Sequence, residues 1–149
     1  MDIGGNNKGV AKRLSNFTSR PFVFEGIECA SMEGLLQSFK FENQEIQKHI
    51  CTLIGIRAKR RGSKRNRAWK SKQTLWWKGT AYPRKSKEYQ ELLDRAYDAL
   101  ATNVNFMNDL LSTGDAIFTH AIGHNKQSET VLTESEFCRR LMALRTKHK

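Results

Sequence analysis

The stretch that decides the fold of this chain is 14–41, which reads LSNFTSRPFVFEGIECASMEGLLQSFKF. Two short apolar segments, 22–24 and 27–29, flank the pair Glu25-Gly26, which is typical of a tight hairpin turn. Ser31 follows as a candidate N-cap, and the apolar period changes there from two residues to about 3.6 residues. The sequence therefore predicts a short antiparallel hairpin followed directly by a helix that runs to about residue 41.

The predicted helix carries a polar stripe. Glu33, Gln37 and Lys40 are spaced i, i+4 and i+7, which places all three on one face, while Leu36 and Phe39 lie elsewhere on the same helix. Such a stripe is either a solvated face or the wall of a polar cavity. The spacing alone leaves both interpretations open.

This stretch resembles the N-terminal signature of the NADAR family, whose name refers to NAD and ADP-ribose. The family shows a Ser-Asn-Phe tripeptide, a short hairpin and a helix of the form Ser-x-Glu-x-x-x-Gln-x-x-Lys-Phe. The matching residues here are Ser15-Asn16-Phe17 and the segment 31–41, and the resemblance extends over about 13–145. It implies a compact, mainly helical α+β domain with a small antiparallel hairpin.

The resemblance also implies cleavage of an N-glycosidic bond, with Glu33 and Lys40 as the catalytic residues. The chemistry suits these side chains, because a carboxylate stabilises positive charge on the sugar carbon and a carboxyl of raised pKa can protonate the departing nitrogen. Two roles remain open for Lys40. It either binds the substrate as a cation or attacks the sugar C1 as a neutral amine and forms a Schiff base.

Further candidates for substrate binding follow from the same resemblance and from side-chain chemistry. Asn16 offers a donor and an acceptor together, which suits a ribose hydroxyl or an adenine edge. Arg20 either reaches a phosphate or lies on the surface, and His120 either contacts the ligand or packs in a strand. We expect a cleft where the 31–41 helix meets the Asn16 loop and the segment 113–120. The complete set of binding candidates is Ser15, Asn16, Phe17, Arg20, Gln37, Arg67, Trp69, Thr113, Gly114 and His120.

The middle of the chain is strongly basic. The segment 57–87 holds half of the 26 Lys and Arg residues and no Asp or Glu, and the net charge of the chain is +11. A charge run is by default a solvated loop, but this one could also bind the diphosphate of an ADP-ribosyl group or the backbone of DNA. Trp69, Trp76 and Trp77 lie within it, and any of them could stack on a base or belong to the core.

The rest of the chain predicts mostly helices. We expect helices over 44–58, 86–101 and 104–111, turn residues over 78–83, a strand over 117–122, a polar loop over 123–130 and a last helix opened by the capping box Thr133-x-x-Glu136. Gly114 fits a left-handed residue at a helix end. The region 123–132 lacks the tryptophan that many NADAR members carry there.

Length and composition set broader limits. At 149 residues we expect one domain over 13–149, preceded by a flexible arm over 1–12. There is no long apolar run and no signal-like N-terminus, which predicts a cytoplasmic protein without a membrane partner. Three widely spaced cysteines indicate reduced, packed thiols, and no metal or other cofactor is expected. A basic chain of this size favours a monomer.

The sequence therefore favours an N-glycosidase that acts on an ADP-ribosyl adduct, such as ADP-ribosylated guanine in DNA, or on a related phosphoribosyl metabolite. A module that binds NAD or ADP-ribose without cleaving it is the first alternative. A basic nucleic-acid-binding protein is the second.

Overall fold

The computed structural model of the protein describes residues 1–4, 8–120 and 124–149. This part is a single domain, mainly helical, with two separate two-stranded antiparallel sheets, which confirms the predicted fold class. The helices are α1 (Gly9–Arg13), α2 (Met32–Ser38), α3 (Gln44–Cys51), α4 (Gly55–Ser63), α5 (Asn66–Lys72), α6 (Lys87–Leu100), α7 (Val104–Leu111) and α8 (Glu134–Lys147), with a 3-10 turn at Gln127–Glu129. The strands are β1 (Phe22–Phe24), β2 (Ile27–Cys29), β3 (Thr74–Trp77) and β4 (Thr80–Pro83).

The first hairpin forms as predicted. Phe24 pairs with Ile27, and Glu25 and Gly26 both have positive φ, 48° and 86°. Two consecutive positive φ values are the conformation that matches the twist of a two-residue hairpin. Phe22, Phe24 and Cys29 turn their side chains into the core, so the hairpin packs on the helices that follow.

Helix α2 begins at the predicted cap and ends earlier than predicted. The Ser31 hydroxyl accepts a hydrogen bond from the Gly34 amide at 3.1 Å and donates to the Leu53 carbonyl at 3.0 Å. Beyond Ser38 the chain continues in a tighter turn, in which the Lys40 amide donates to the Gln37 carbonyl at 3.2 Å. Because these bonds span three residues, Lys40 lies on a 3-10 turn rather than on the α-helix itself.

The single helix predicted over 44–58 is wrong. Helix α3 ends at Cys51, and α4 begins at Gly55, whose φ is +53°. Helix α2 packs against this break, since a Cβ on Gly34 would lie only 2.7 Å from the Leu53 carbonyl oxygen. The predicted apolar stripe is interrupted accordingly, and Ile54 is exposed.

The basic run is helical, not a loop. Residues 59–67 belong largely to α4 and α5, which suits Arg and Lys because both are good helix formers. These two helices bury only three residues, Ala58, Gly62 and Trp69. The turn predicted over 78–83 is confirmed at Lys78 and Gly79, which have positive φ and join β3 to β4, whereas residues 80–83 form the strand β4 of a second hairpin.

Helices α6 and α8 provide the centre of the core. The predicted inward face of α6 is buried throughout (Tyr89, Leu92, Leu93, Ala96, Tyr97 and Leu100). The predicted capping box of α8 is present, with reciprocal bonds between Thr133 and Glu136. Phe137, Leu141 and Leu144 of α8 are buried against this core. The three cysteines are free and buried, as predicted.

The C-terminal half agrees with the prediction in part. Helix α7 forms as expected, and Gly114 has a φ of +61°. Of the predicted strand 117–122, the described residues 117–120 make one parallel bridge, between Thr119 and Asp2. Residues 121–122 and the first residue of the predicted loop 123–130 lie outside the described residues.

The N-terminus contacts the same segment. The Ile3 amide donates to the Thr119 carbonyl at 2.7 Å, and the Ile3 side chain is fully buried. The predicted division into a flexible arm over 1–12 and a domain over 13–149 stays a prediction. None of the described helices is long and apolar enough to cross a membrane.

Candidate active site

A polar cavity of about 520 Å³ lies between α2, the segment 15–17, helices α4 and α5, and the start of α8. The polar side of α2 therefore forms a cavity wall rather than a solvated face. The lining residues are Ser15, Asn16, Phe17, Glu33, Leu36, Gln37, Lys40, Lys59, Ser63, Asn66, Trp69, Lys70, His120, His124, Glu129, Thr130, Val131, Leu132, Thr133 and Phe137.

Glu33 lies in the first turn of α2 and faces the cavity. Its backbone amide donates to the Asn16 carbonyl at 3.0 Å, which joins α2 to the segment 15–17. Its carboxylate accepts a hydrogen bond from the Gln37 amide at 2.8 Å. Burial raises the pKa of the Glu33 carboxyl above its ordinary value, although Gln37 and the charge of Lys40 oppose this shift. Glu33 therefore holds its proton to a higher pH than an exposed carboxyl does.

Gln37 is held in place by the close approach of α4. A Cβ on Gly62 would lie 1.7 Å from the Gln37 Oε1 atom, so only glycine allows the two helices to meet at this distance. Gln37 is 7% exposed. The orientation of its amide toward Glu33 therefore depends on a residue that lies far along the sequence.

Lys40 is 7% exposed, and its ammonium donates to Asn66 Oδ1 at 2.6 Å. Burial lowers the pKa of Lys40 to about 8, and the nearby cations Lys70 and Lys59 act in the same direction while Glu33 opposes them. A lysine with this pKa is mostly charged at neutral pH but loses its proton readily above it. Both of its predicted roles remain chemically open.

Asn16 is oriented by the core. Its Oδ1 atom accepts a hydrogen bond from the Tyr97 hydroxyl at 3.0 Å. The neighbouring Ser15 accepts from the Phe17 amide at 3.2 Å, which makes 15–17 a compact turn. Since Tyr97 occupies the carbonyl oxygen of Asn16, the amide N–H groups of this residue are directed elsewhere.

The wall opposite α2 is supported by a buried ion pair. Arg84, which is fully buried, contacts both carboxylate oxygens of Glu136, at 3.1 and 2.6 Å, and donates to the Thr130 carbonyl at 2.7 Å. The Tyr89 hydroxyl donates to the Val131 carbonyl at 2.6 Å. These bonds hold the segment 130–133, which lines the cavity, to the core.

The surroundings of Glu136 favour the charged form of its carboxylate. Burial by itself would raise the pKa of Glu136, but the hydrogen bonds from Arg84, the Thr133 amide and Gln90 outweigh it and lower the pKa to about 2. Glu136 is therefore a structural carboxylate at neutral pH. It differs in this from Glu33, whose pKa moves in the opposite direction.

The remaining predicted residues divide into two groups. His120 and Trp69 line the cavity: the His120 Nδ1 atom contacts the Ile3 carbonyl, and the His120 ring packs edge-on against Phe137 at 5.3 Å between ring centroids. Trp69 is 3% exposed, and its buried indole N–H has no hydrogen-bond partner among the described residues. Trp77 belongs to the core, where it stacks on Phe24 at 5.3 Å.

Four predicted residues are not brought to the cavity. Arg20 is buried and pairs with Asp109 of α7, and Arg67 is exposed on α5. Thr113 accepts a hydrogen bond from Arg145 at 2.9 Å, and Gly114 ends the α7 region. The cavity thus meets the predicted segment 113–120 only at His120.

Several lining residues were not among the predicted ones. Asn66 holds Lys40, although only its neighbour Arg67 was predicted. Lys59 and Lys70 were noted only as part of a charge run, and their positions beside Glu33 and Lys40 require the helical geometry of α4 and α5. Among the described residues there is no cluster of His, Cys, Asp and Glu suited to hold a metal ion.

Comparison with known proteins places the chain in a family. Residues 8–146 match the family model described as bacteriophage protein GP30.3. The chain belongs to this family. A 17.1 kDa protein from the Gp30–rIII intergenic region of Enterobacteria phage T4 is 35% identical over 147 residues, which is 97% of this chain and 96% of the relative.

A solved structure shows the wider fold. The NMR structure of the E. coli protein YbiA superimposes with a TM-score of 0.60 at 16% sequence identity, over 95% of this chain and 82% of YbiA. YbiA is a NADAR-family protein, so this chain has a NADAR-type fold. At this identity the likeness concerns the fold alone.

Proposed function

We propose that the protein is an N-glycosidase that hydrolyses the ribose–nitrogen bond of an ADP-ribosyl adduct or of a related phosphoribosyl compound. The observation that carries this proposal is the pairing of Glu33 and Lys40 in one polar cavity, with the pKa of Glu33 raised and that of Lys40 lowered to about 8. Opposed shifts of two titratable groups in a cavity are typical of acid–base sites. The NADAR-type fold is consistent with this chemistry by analogy only.

The reaction uses Glu33 twice. As the C1–nitrogen bond breaks, its electron pair stays on the nitrogen, which takes the proton of the Glu33 carboxyl. The carboxylate so formed stabilises the cationic sugar carbon. A water molecule then adds to C1 and returns a proton to Glu33, so that the products are a free hydroxyl on the sugar and an intact N–H on the leaving base.

Neighbouring residues bind and orient the substrate. Lys40, Lys59 and Lys70 supply positive charge for the diphosphate of an ADP-ribosyl group. Asn16 presents amide N–H donors to a ribose hydroxyl, and the indole N–H of Trp69, which has no partner among the described residues, is a further donor in the cavity lining. Lys40 acts in this scheme as a cation, and the alternative is covalent attack on C1 with formation of a Schiff base.

A turnover assay tests the proposal. The wild type, Glu33→Gln and Glu45→Gln are incubated with guanine-ADP-ribosylated DNA, with NAD and with ADP-ribose, and the products are identified by mass spectrometry. Glu45 is exposed on α3 and does not line the cavity, so its variant controls for the loss of one carboxylate. We expect release of the base or of ADP-ribose by the wild type and by Glu45→Gln, but not by Glu33→Gln.

The same assay separates hydrolysis from binding alone. A module that holds NAD or ADP-ribose without cleaving it would show no product with any variant, while calorimetry would still detect binding of ADP-ribose. Reduction with borohydride tests the covalent route, because a Schiff base between Lys40 and the opened sugar would leave a stable adduct on the wild type but none on Lys40→Arg.

A further inference from the structure

A second concave surface lies outside the candidate active site. It is an open groove of about 650 Å³ between the start of α6, the segment 125–128 and the start of α8. The residues that line it are all polar or charged, and they include the cations Lys85, Lys87, Lys126 and Arg139. We call this surface the cationic groove.

The charge of the groove is positive and largely uncompensated. Lys85, Lys87, Lys126 and Arg139 come from three different places in the fold, and all are exposed. Among the described residues, only Lys87 of these four makes an ion pair, with Glu91 at 3.8 Å on the surface. The acid in the lining, Glu136, is already neutralised by the buried guanidinium of Arg84.

The arrangement fits an extended polyanion better than a small metabolite. The cations are solvated and spread along an open groove, and no aromatic side chain of the described residues lines it, so neither a closed pocket nor a stacking platform is present there. Spaced, exposed cations of this kind bind phosphates of a nucleic-acid backbone and release its counterions. Such binding carries no base specificity.

The groove adjoins the candidate active site. Thr133 lines both surfaces, and the consecutive residues Ser128 and Glu129 face the groove and the cavity respectively. Lys70, which lines the cavity, pairs with Glu129 at 3.3 Å and so joins α5 to this segment. The groove and the cavity therefore share the segment 128–133 as a common wall.

We propose that the cationic groove binds the sugar–phosphate backbone of a nucleic acid. The binding itself does not depend on the proposed hydrolysis, since an unmodified strand needs no turnover. A second claim, that the groove presents a modified nucleotide to the cavity, rests on the proposed function.

Binding of an unmodified, labelled 20-nucleotide DNA tests the proposal by fluorescence anisotropy at several salt concentrations, as a single strand and as a duplex. The groove variant combines Lys85→Gln, Lys126→Gln and Arg139→Gln. The control variant combines Lys12→Gln, Lys48→Gln and Lys147→Gln, which remove the same charge from exposed positions that line neither surface. Circular dichroism establishes that both variants remain folded.

For the groove variant we expect a dissociation constant at least about 10-fold higher than that of the wild type, and a salt dependence that is shallower by about two to three ions. The control should change by less than about 3-fold. The proposal would be overturned if, for single-stranded and duplex DNA alike, both variants lose the same affinity or neither loses any. If the groove binds DNA while the wild type hydrolyses none of the substrates, the proposed function alone would be refuted.

Discussion

At the scale of single residues, the candidate site depends on two glutamates with opposite surroundings. Glu33 faces a polar cavity, receives one hydrogen bond from Gln37, and has a raised pKa. Glu136 is held by Arg84, the Thr133 amide and Gln90, and its pKa is lowered to about 2. Hydrogen bonding and charge thus separate a carboxyl that can carry a proton from one that supports the fold.

The pKa of Lys40 predicts how kcat/KM depends on pH. With a pKa of about 8, Lys40 is charged below this pH and loses its charge above it. We expect kcat/KM for an anionic substrate to fall, by up to about 10-fold, as the pH rises through 8, because the cation that binds the substrate is lost. Initial rates measured across the range from neutral to alkaline pH check this.

Lys40→Arg is the matched variant for this profile, since arginine stays charged throughout that range. For Lys40→Arg we expect no fall of kcat/KM near pH 8. Lys48→Arg, on the exposed face of α3, should show the same fall as the wild type. A wild-type rate that increases through this pH would instead indicate the neutral amine as nucleophile.

Glu136 predicts a pH dependence of stability. Its folded pKa lies below the ordinary value of 4.5, so its contribution is present above pH 4.5 and is lost as the pH falls toward 2. From the size of this shift we expect a loss of about 3 kcal/mol in the free energy of unfolding. Urea unfolding at neutral pH and at about pH 3 measures most of it.

Glu136→Gln should lower the free energy of unfolding by about 3 kcal/mol at neutral pH, since it leaves the fully buried Arg84 without its counterion. It should also remove most of the difference between the two pH values. The exposed Glu88→Gln serves as control. Equal stability of Glu136→Gln and the wild type at neutral pH would refute the structural role assigned to this ion pair.

At the scale of elements, two glycines set the distances on which the cavity depends. Gly34 of α2 faces backbone carbonyls, and a Cβ added to it would lie 2.8 Å from the Ile50 oxygen, whereas Gly62 of α4 faces the Gln37 side chain. Rotation of a side chain relieves neither contact, because a Cβ on Gly62 would also lie 2.9 Å from the Gln37 Cβ atom. The two positions should differ in their effect on turnover, since only Gly62 contacts a residue that lines the cavity.

Gly34→Ala should lower the free energy of unfolding by about 1–3 kcal/mol, because α2 must move away from the end of α3. Gly62→Ala should also cost stability, because the added methyl group would lie 2.9 Å from the Gln37 Cβ atom, which no rotation of the side chain moves. It should reduce turnover as well, because the displaced Gln37 amide no longer bonds Glu33. Thermal unfolding and initial rates of the two variants, compared with Ala68→Gly on α5, distinguish these effects; similar rates for Gly62→Ala and the wild type would contradict them.

The sequence allowed the regular elements to be predicted well where an apolar period or a cap was present. The first hairpin, α6, α7 and the capping box of α8 are cases of this kind. The break between α3 and α4 could not be predicted, because it depends on the positive φ of Gly55 and on the packing of α2 beneath Leu53. Helices α4 and α5 were not predicted, because they bury too few apolar residues to show a helical period.

The site could be predicted where its residues belong to the N-terminal signature, and at Trp69 and His120. Glu33, Gln37 and Lys40 come from one short segment, and all three line the cavity. Asn66 and the wall 130–133 reach the cavity from distant parts of the chain, and nothing in their local sequence indicates this. Arg20 was expected either to reach a phosphate or to lie on the surface. It is instead buried and pairs with Asp109, which only the tertiary structure reveals.

At the scale of the whole molecule, a basic surface surrounds a polar cavity. The chain carries a net charge of +11, helices α4 and α5 contribute Lys59 and Lys70 to the cavity, and the cationic groove lies on the other side of the segment 128–133. This distribution suits a ligand that carries several phosphates. The likeness to YbiA shows the fold, whereas the proposed activity is argued from the site.

The most direct test of the central claim is the mass of the products that the wild type releases from a guanine-ADP-ribosylated oligonucleotide in a single turnover. Cleavage at the ribose–nitrogen bond predicts intact oligonucleotide and free ADP-ribose, at a rate at least about 100-fold lower for Glu33→Gln and unchanged for Glu45→Gln. Release of AMP instead would place the cleavage at the diphosphate. No product, or equal rates for the wild type and Glu33→Gln, would contradict the account of Glu33 as the acid of an N-glycosidase.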